Sequence, residues 1–180
     1  MRRTFYFLII GLIALIWLAK RMRSAMLRLA TGHPGDEALD MRFFGYSTED
    51  VRGYFERLGA ERRKDYLKIQ TRVELAFIVA YAIAGSAGGV WMSASLYQES
   101  WRFASWVPLA GGLLIVAAAV IDLDEGQAIR KLLKSWPQLD PVIVARASKA
   151  TRLKWLCIAA GLMLVLIGVA LTVIAKLKGA

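Results

Sequence analysis

The stretch over residues 106–175 decides the fold of this chain. Residues 106–121 read WVPLAGGLLIVAAAVI and carry no charge. Three acids follow before the helical pattern ends: Asp122, Asp124 and Glu125. After a basic connector, Lys154 stands directly before a second apolar run at residues 155–175. Carboxylates therefore lie at the end of one predicted membrane helix, and an ammonium group lies at the start of the next one, at a similar depth.

The composition indicates a membrane protein rather than a soluble domain. Apolar residues make up 57% of the 180 positions, whereas globular domains have about 45–50%. These residues also fall in long blocks instead of following the spacing of a soluble core. The pattern predicts an all-α, polytopic membrane protein in one membrane domain, residues 1–180. Its four spans are expected at about 4–20, 74–97, 106–125 and 155–175.

The first apolar run has a second interpretation, as a cleaved signal peptide, because Arg2 and Arg3 precede it. Lys20 and Arg21 stand where a cleavage site would need small residues. Sixteen uncharged residues are short for a span, which takes about 20, but flanking Lys and Arg side chains can reach back to the headgroups. We therefore expect a retained first membrane helix.

The connector 21–73 is predicted to be cytoplasmic and to contain an amphipathic helix at 47–58. Residues 31–46, with a Gly-His-Pro-Gly turn and several acids, are typical of a solvated linker. Ser47 is the expected N-cap, and Gly59 the expected stop. One face of the helix is apolar: Val51, Tyr54, Phe55 and Leu58. This face is expected to pack on the protein or lie at the headgroups, with partner docking as the less favoured alternative.

The distribution of positive charge predicts the topology. Of 24 Lys and Arg residues, 19 fall in the connectors 20–72 and 126–154. The positive-inside rule places both connectors in the cytoplasm and both termini on the other side. In the loop 126–154 the helix is expected to continue to about Ser135, turn, and resume at residue 142. The net charge of +10 then faces anionic lipid, and no basic helix carries the interleaved aromatics of a nucleic-acid binder.

Charged residues at three predicted span ends lie on helix faces that continue as glycine-containing stripes. Small residues mark helix contacts in bilayers, so these charges are expected to face the bundle. The stripes and their neighbours contain Gly85, Gly88, Gly89, Gly111, Gly161 and Gly168. The predicted polar cluster at the cytoplasmic edge comprises Glu74, Asp122, Glu125, Thr151 and Lys154, with Lys154 facing Asp122 and Glu125.

This cluster has three interpretations. It can hold helix ends together, which we favour because unpaired charge in a bilayer is costly. It can be a functional site for a proton, an ion or a lipid headgroup, or it can be exposed to solvent. One histidine and one cysteine, His33 and Cys157, argue against a histidine-based metal site, a catalytic triad or a disulfide framework. No catalytic set, metal or cofactor is predicted.

The chain resembles a group of uncharacterised bacterial four-helix membrane proteins over residues 45–175. The similar features are Gly45-Tyr46-Ser47, Leu58-Gly59 with Arg63 and Tyr66, Glu74 with Tyr81, the pair Asp122 and Glu125, and Thr151-Arg152-Leu153-Lys154-Trp155. The chain departs from the group at Glu74, where the group has aspartate, and at Gly126, where it has asparagine. The resemblance implies an integral membrane protein and supplies no activity.

The expected function is that of a small, non-enzymatic inner-membrane protein that binds a partner, as an accessory subunit of a larger complex or as a homo-oligomer. A small ion, proton or solute transporter or channel that uses the same cluster is the first alternative. A lipid-acting membrane enzyme with Asp122 and Glu125 as acid and base is the second, and a sensor of anionic lipid is the third.

Overall fold

The computed structural model describes residues 2–29 and 37–179, and this part of the chain is helical without any strand. The helices are α1 (Arg2–Leu29), α2 (Thr48–Lys68), α3 (Glu74–Gln98), α4 (Trp106–Ser135) and α5 (Pro141–Gly179). A π-helical turn, Ile69–Val73, joins α2 to α3, and a 3₁₀ turn forms at Leu39–Met41.

Within residues 2–29 and 37–179, three helices are long and apolar enough to cross a membrane, which is the character of a membrane protein. They are the helical run Thr48–Gln98, which contains α2 and α3, and the helices Trp106–Ser135 and Pro141–Lys178. The predicted first span lies in α1, where the described side chains are those of Ile9 and of residues 13–29. The turn around His33 lies outside the described residues.

The chain forms two compact units. The polar unit comprises Ile16–Ile78 and Val120–Trp155, and the apolar unit comprises Met1–Leu15, Val79–Ala119 and Leu156–Ala180. In the polar unit the apolar face of α2 is buried and packs against one core with α4 and the start of α5. Its members include Val51, Tyr54, Phe55 and Leu58. Of the interpretations that the sequence leaves open for this face, the structure therefore shows packing on the protein.

The N-terminus of α2 is fixed by a reciprocal cap. Ser47 Oγ accepts a hydrogen bond from the Asp50 backbone N–H at 3.1 Å, and Asp50 Oδ2 accepts one from the Ser47 N–H at 2.8 Å. The first helical segment of α2 ends at Gly59, as the sequence predicts, because Gly59 has a left-handed φ of 68°, which glycine adopts without steric cost. A second helical segment follows directly after this kink and continues to Lys68.

In the apolar unit, two successive glycines of α4 contact two different helices. A Cβ at Gly111 would lie 2.9 Å from the Gly161 carbonyl oxygen of α5, and a Cβ at Gly112 would lie 2.9 Å from the Gly85 carbonyl oxygen of α3. Gly89 and Gly168 both lie against Pro108, about as closely as the glycine contacts just described. Gly88 is buried. Backbones this close leave no room for side chains. Gly112 and Pro108 were not among the residues that the sequence singled out.

We expect Gly112→Ala to destabilise the protein by about 1–3 kcal/mol, because the added methyl group meets backbone that cannot give way. The matched control is Gly53→Ala in α2, where the nearest atom is the flexible end of Arg57. That variant should gain up to about 1 kcal/mol from helix propensity. Thermal unfolding in detergent measures both, and equal stability of the two variants would contradict the close packing.

Candidate functional site

The Lys154 ammonium group is the centre of a buried ionic cluster in the polar unit. Its Nζ donates to Asp122 Oδ1 at 2.9 Å and to the Asp40 backbone carbonyl at 3.2 Å. It also forms an ion pair with Glu125 Oε2 at 2.6 Å. An ammonium group has three protons to donate, and two of them are donated in these hydrogen bonds. Lys154 is 4% exposed.

Thr151 and Tyr46 extend this cluster along α5. Thr151 Oγ1 donates to Glu125 Oε1 at 2.5 Å and lies 3.4 Å from the Tyr46 hydroxyl oxygen. Tyr46 is held from its backbone, because its N–H donates to Ser148 Oγ at 2.8 Å. Thus Glu125 contacts a lysine through one oxygen and a threonine through the other, and both partners belong to α5.

The linker that the sequence analysis described as solvated enters the cluster at Asp40, so that prediction is wrong for this residue. The Asp40 carbonyl accepts hydrogen bonds from Lys154 Nζ and from Trp155 Nε1, the latter at 3.0 Å. Its carboxylate accepts one from the Tyr66 hydroxyl at 3.1 Å. Burial raises the pKa of the Asp40 carboxyl, and the nearby Lys154 ammonium opposes that rise. Burial likewise raises the pKa of the Tyr46 hydroxyl.

Gln70 and Glu74 form the other side of the cluster. Both side chains are buried, at 0% and 2% exposure. Gln70 lies in the π-helical turn, a conformation that is frequent at functional sites. Both residues lie beside Gly126, since a Cβ there would be 3.4 Å from Gln70 Oε1 and 3.7 Å from Glu74 Oε2.

Asp124, the third acid of the triplet after the apolar run, points elsewhere. It pairs with Arg146 at the surface, where both side chains are substantially exposed, and a shallow cavity beside them is lined also by Gln127 and Lys131. This agrees with helical geometry, because residues two apart lie on nearly opposite faces.

The structure brings four residues of the predicted polar cluster into direct contact, Asp122, Glu125, Thr151 and Lys154. The fifth, Glu74, is buried beside Gly126, the residue that follows Glu125. Among the described residues, sequence reasoning missed Asp40 and Gln70. Asp40 lies in a segment without helical periodicity, so no pattern indicated its position. Gln70 had a detectable signal, because it is one helical turn before Glu74.

The cluster contains more negative than positive groups. Its carboxylates are Asp40, Glu74, Asp122 and Glu125, all buried, and Lys154 is the ammonium group among them. Such an arrangement can hold helix ends together, or it can bind positive charge. Compared with family models, curated proteins and solved structures, the chain matches none.

We expect Lys154→Met to destabilise the protein by about 3–5 kcal/mol, because it leaves buried carboxylates without their counter-ion. Adding Asp122→Asn and Glu125→Gln should recover much of this loss, since the buried charges are then removed together. Chemical unfolding in detergent measures the difference.

The control for this prediction is Arg146→Met, which breaks the exposed pair with Asp124 and should change stability by less than about 1 kcal/mol. A triple variant as damaged as Lys154→Met alone would contradict a role of the cluster in holding the helices.

Proposed function

We propose that this chain is a bacterial inner-membrane protein that crosses the bilayer four times. The connectors 20–72 and 126–154 are then cytoplasmic, and both termini lie on the other side. The proposal is supported by the 19 of 24 Lys and Arg residues in these two connectors. In this orientation the basic connectors face anionic lipid headgroups.

Impermeant maleimide labelling tests this topology. In a Cys157→Ser background, Glu99→Cys between α3 and α4 should be labelled in cells whose inner membrane is intact. Glu56→Cys, on the exposed face of α2, should react only after that membrane is opened, because the bilayer blocks the reagent. Labelling of Glu56→Cys with the membrane intact would contradict the proposed orientation.

We further propose that the protein acts as a partner-binding membrane protein, as an accessory subunit or as a homo-oligomer. The observation that supports this proposal most directly is that the ionic cluster is buried within the protein. Lys154 is bound by Asp122, Glu125 and the Asp40 carbonyl within the chain, and the four carboxylate side chains are buried. A lipid-acting enzyme would need Asp122 and Glu125 open to its substrate, so their burial favours a structural role for these groups.

The segment Leu39–Ser47, which the cluster holds in place, supplies the surface for such a partner. Asp40 is anchored by Lys154 and Trp155, and Tyr46 by Ser148. Between these anchors Phe43 packs on the Trp155 ring at a centroid distance of 4.3 Å. Phe44 is 96% exposed. An aromatic side chain on a loop fixed at both ends is suited to act as an anchor in a partner's pocket.

Co-purification after mild detergent extraction tests this function. From membranes of cells that naturally make the chain, the tagged protein should retain a partner, or a second copy of itself, at a fixed ratio. Phe44→Ser should lose this partner because the aromatic anchor is removed.

The matched control is Phe103→Ser, since Phe103 is 95% exposed on a different turn, and this variant should keep the partner. No stoichiometric partner for the unchanged protein, or the same result with both variants, would contradict the proposal.

A further inference from the structure

Gln70 and Glu74, two buried residues of the polar unit, are among the side chains with polar atoms that lack a hydrogen-bond partner in the described protein. Both amide atoms of Gln70 and the Oε2 atom of Glu74 have no hydrogen-bond partner among residues 2–29 and 37–179. Buried polar groups in native proteins are almost always bonded, to protein, to water or to an ion. Gln70 and Glu74 therefore point to a ligand that is not part of the chain.

These polar atoms converge on one place. Gln70 Oε1 and Glu74 Oε2 lie 3.4 and 3.7 Å from the point where a side chain at Gly126 would begin. An amide oxygen and a carboxylate oxygen thus face the same side-chain-free position of α4. Both are hard oxygen ligands of the kind that alkali and alkaline-earth cations prefer.

The charges around this place favour a cation. The carboxyl groups of Asp40, Glu74, Asp122 and Glu125 are buried, and Lys154 is engaged by oxygens other than those of Glu74 and Gln70. Arg130 is the second cation nearby, but its Nη1 donates to the Gln70 backbone carbonyl at 3.0 Å. Buried carboxyl groups that outnumber their counter-ions must either bind a proton or have another cation beside them.

The number of oxygen ligands favours a monovalent ion. Calcium sites use six to eight oxygens, and magnesium sites demand octahedral geometry. Within the part of the chain that the structure describes, no group of three or more acidic, histidine or cysteine side chains is arranged to hold a metal ion. Glu74 supplies one carboxylate beside Gly126, and one carboxylate balances an ion of charge +1.

We propose that Gln70, Glu74 and the side-chain-free position at Gly126 form a binding site for one monovalent metal cation of the sodium class. Glu74 Oε2 and Gln70 Oε1 are two of its ligands. The bound ion reduces the negative excess of the cluster and gives both oxygens a partner. This inference does not rest on the proposed partner-binding function, because it concerns a different face of the cluster.

The full-length protein in detergent provides the test, with sodium, potassium or choline chloride at equal ionic strength. Sodium should raise the Tm above its value in choline by about 3–6 °C at a concentration about tenfold above the Kd. Equilibrium dialysis with radioactive sodium should retain one ion per chain. The potassium arm shows which alkali ion the site selects, and retention of either ion supports the proposal.

Glu74→Gln and Gln70→Leu should abolish both the Tm response and the retention of the ion, because the first removes the negative charge of the site and the second removes a ligand oxygen. Gly126→Ala is the sharper variant. Its methyl group would lie beside both oxygens and 3.2 Å from the movable end of Arg130, and alanine is the better helix former. This variant should fold at least as well as the unchanged protein and yet lose the sodium response.

The control is Asp124→Asn, which removes an equivalent charge from the surface pair with Arg146 and should keep the full response. Equal Tm values in alkali and choline chloride, with no ion retained, would overturn the proposal and assign a water molecule to these atoms. A sodium response unchanged in Gly126→Ala would also overturn it. Loss of partner binding in Phe44→Ser with sodium binding intact would separate this site from the proposed function.

Discussion

The described structure depends on one ammonium group held away from water. Lys154 brings together a carboxylate near the end of the apolar run of α4, a second carboxylate one helical turn later, and a backbone carbonyl from the 3₁₀ turn. Desolvating a charge costs several kcal/mol unless the surrounding geometry returns that cost. Each element of the polar unit that reaches Lys154 is therefore constrained in position, since a displaced partner would leave a buried charge unbalanced.

The same constraint explains how a linker without regular structure becomes ordered. Asp40 gives its carbonyl to Lys154 and Trp155 and its carboxylate to Tyr66. Tyr46 then ties the other end of the segment to Ser148. These hydrogen bonds add to the burial of Leu39 and Tyr46 in the hydrophobic core, and the segment keeps a defined shape although Phe44 projects into the surroundings.

Much of the fold was predictable from the sequence because bilayers impose strong patterns. Long uncharged runs predicted helices, and the spacing of Asp122, Glu125 and Lys154 placed them on facing stripes. The position of Asp40 could not be predicted, because it depends on a three-residue turn that is stabilised by contacts distant in sequence. Gln70 was missed for a different reason. The segment before Glu74 is rich in charge, and a solvated face is the usual interpretation of such composition.

The contacts between helices were likewise predictable from the sequence only in part. Glycine stripes on three predicted spans indicated which faces meet, and Gly111 and Gly161 do meet in the apolar unit. The pattern gave no sign that Gly112, one residue further, contacts α3. A glycine stripe in the sequence marks one face of a helix, whereas adjacent residues of α4 contact two different helices.

The π-helical turn Ile69–Val73 has a consequence for how this chain would be compared with any homologue. A π turn is wider than an α turn by one residue, and each residue of an α-helix corresponds to about 100° of rotation. A homologue shorter by one position here would keep α3 unchanged but would rotate residue 70 away from Gly126. The length of this turn therefore decides whether the amide of residue 70 lies near the carboxylates, more than the residue type at any single position does. A gap here in an alignment would mark homologues that lack this arrangement.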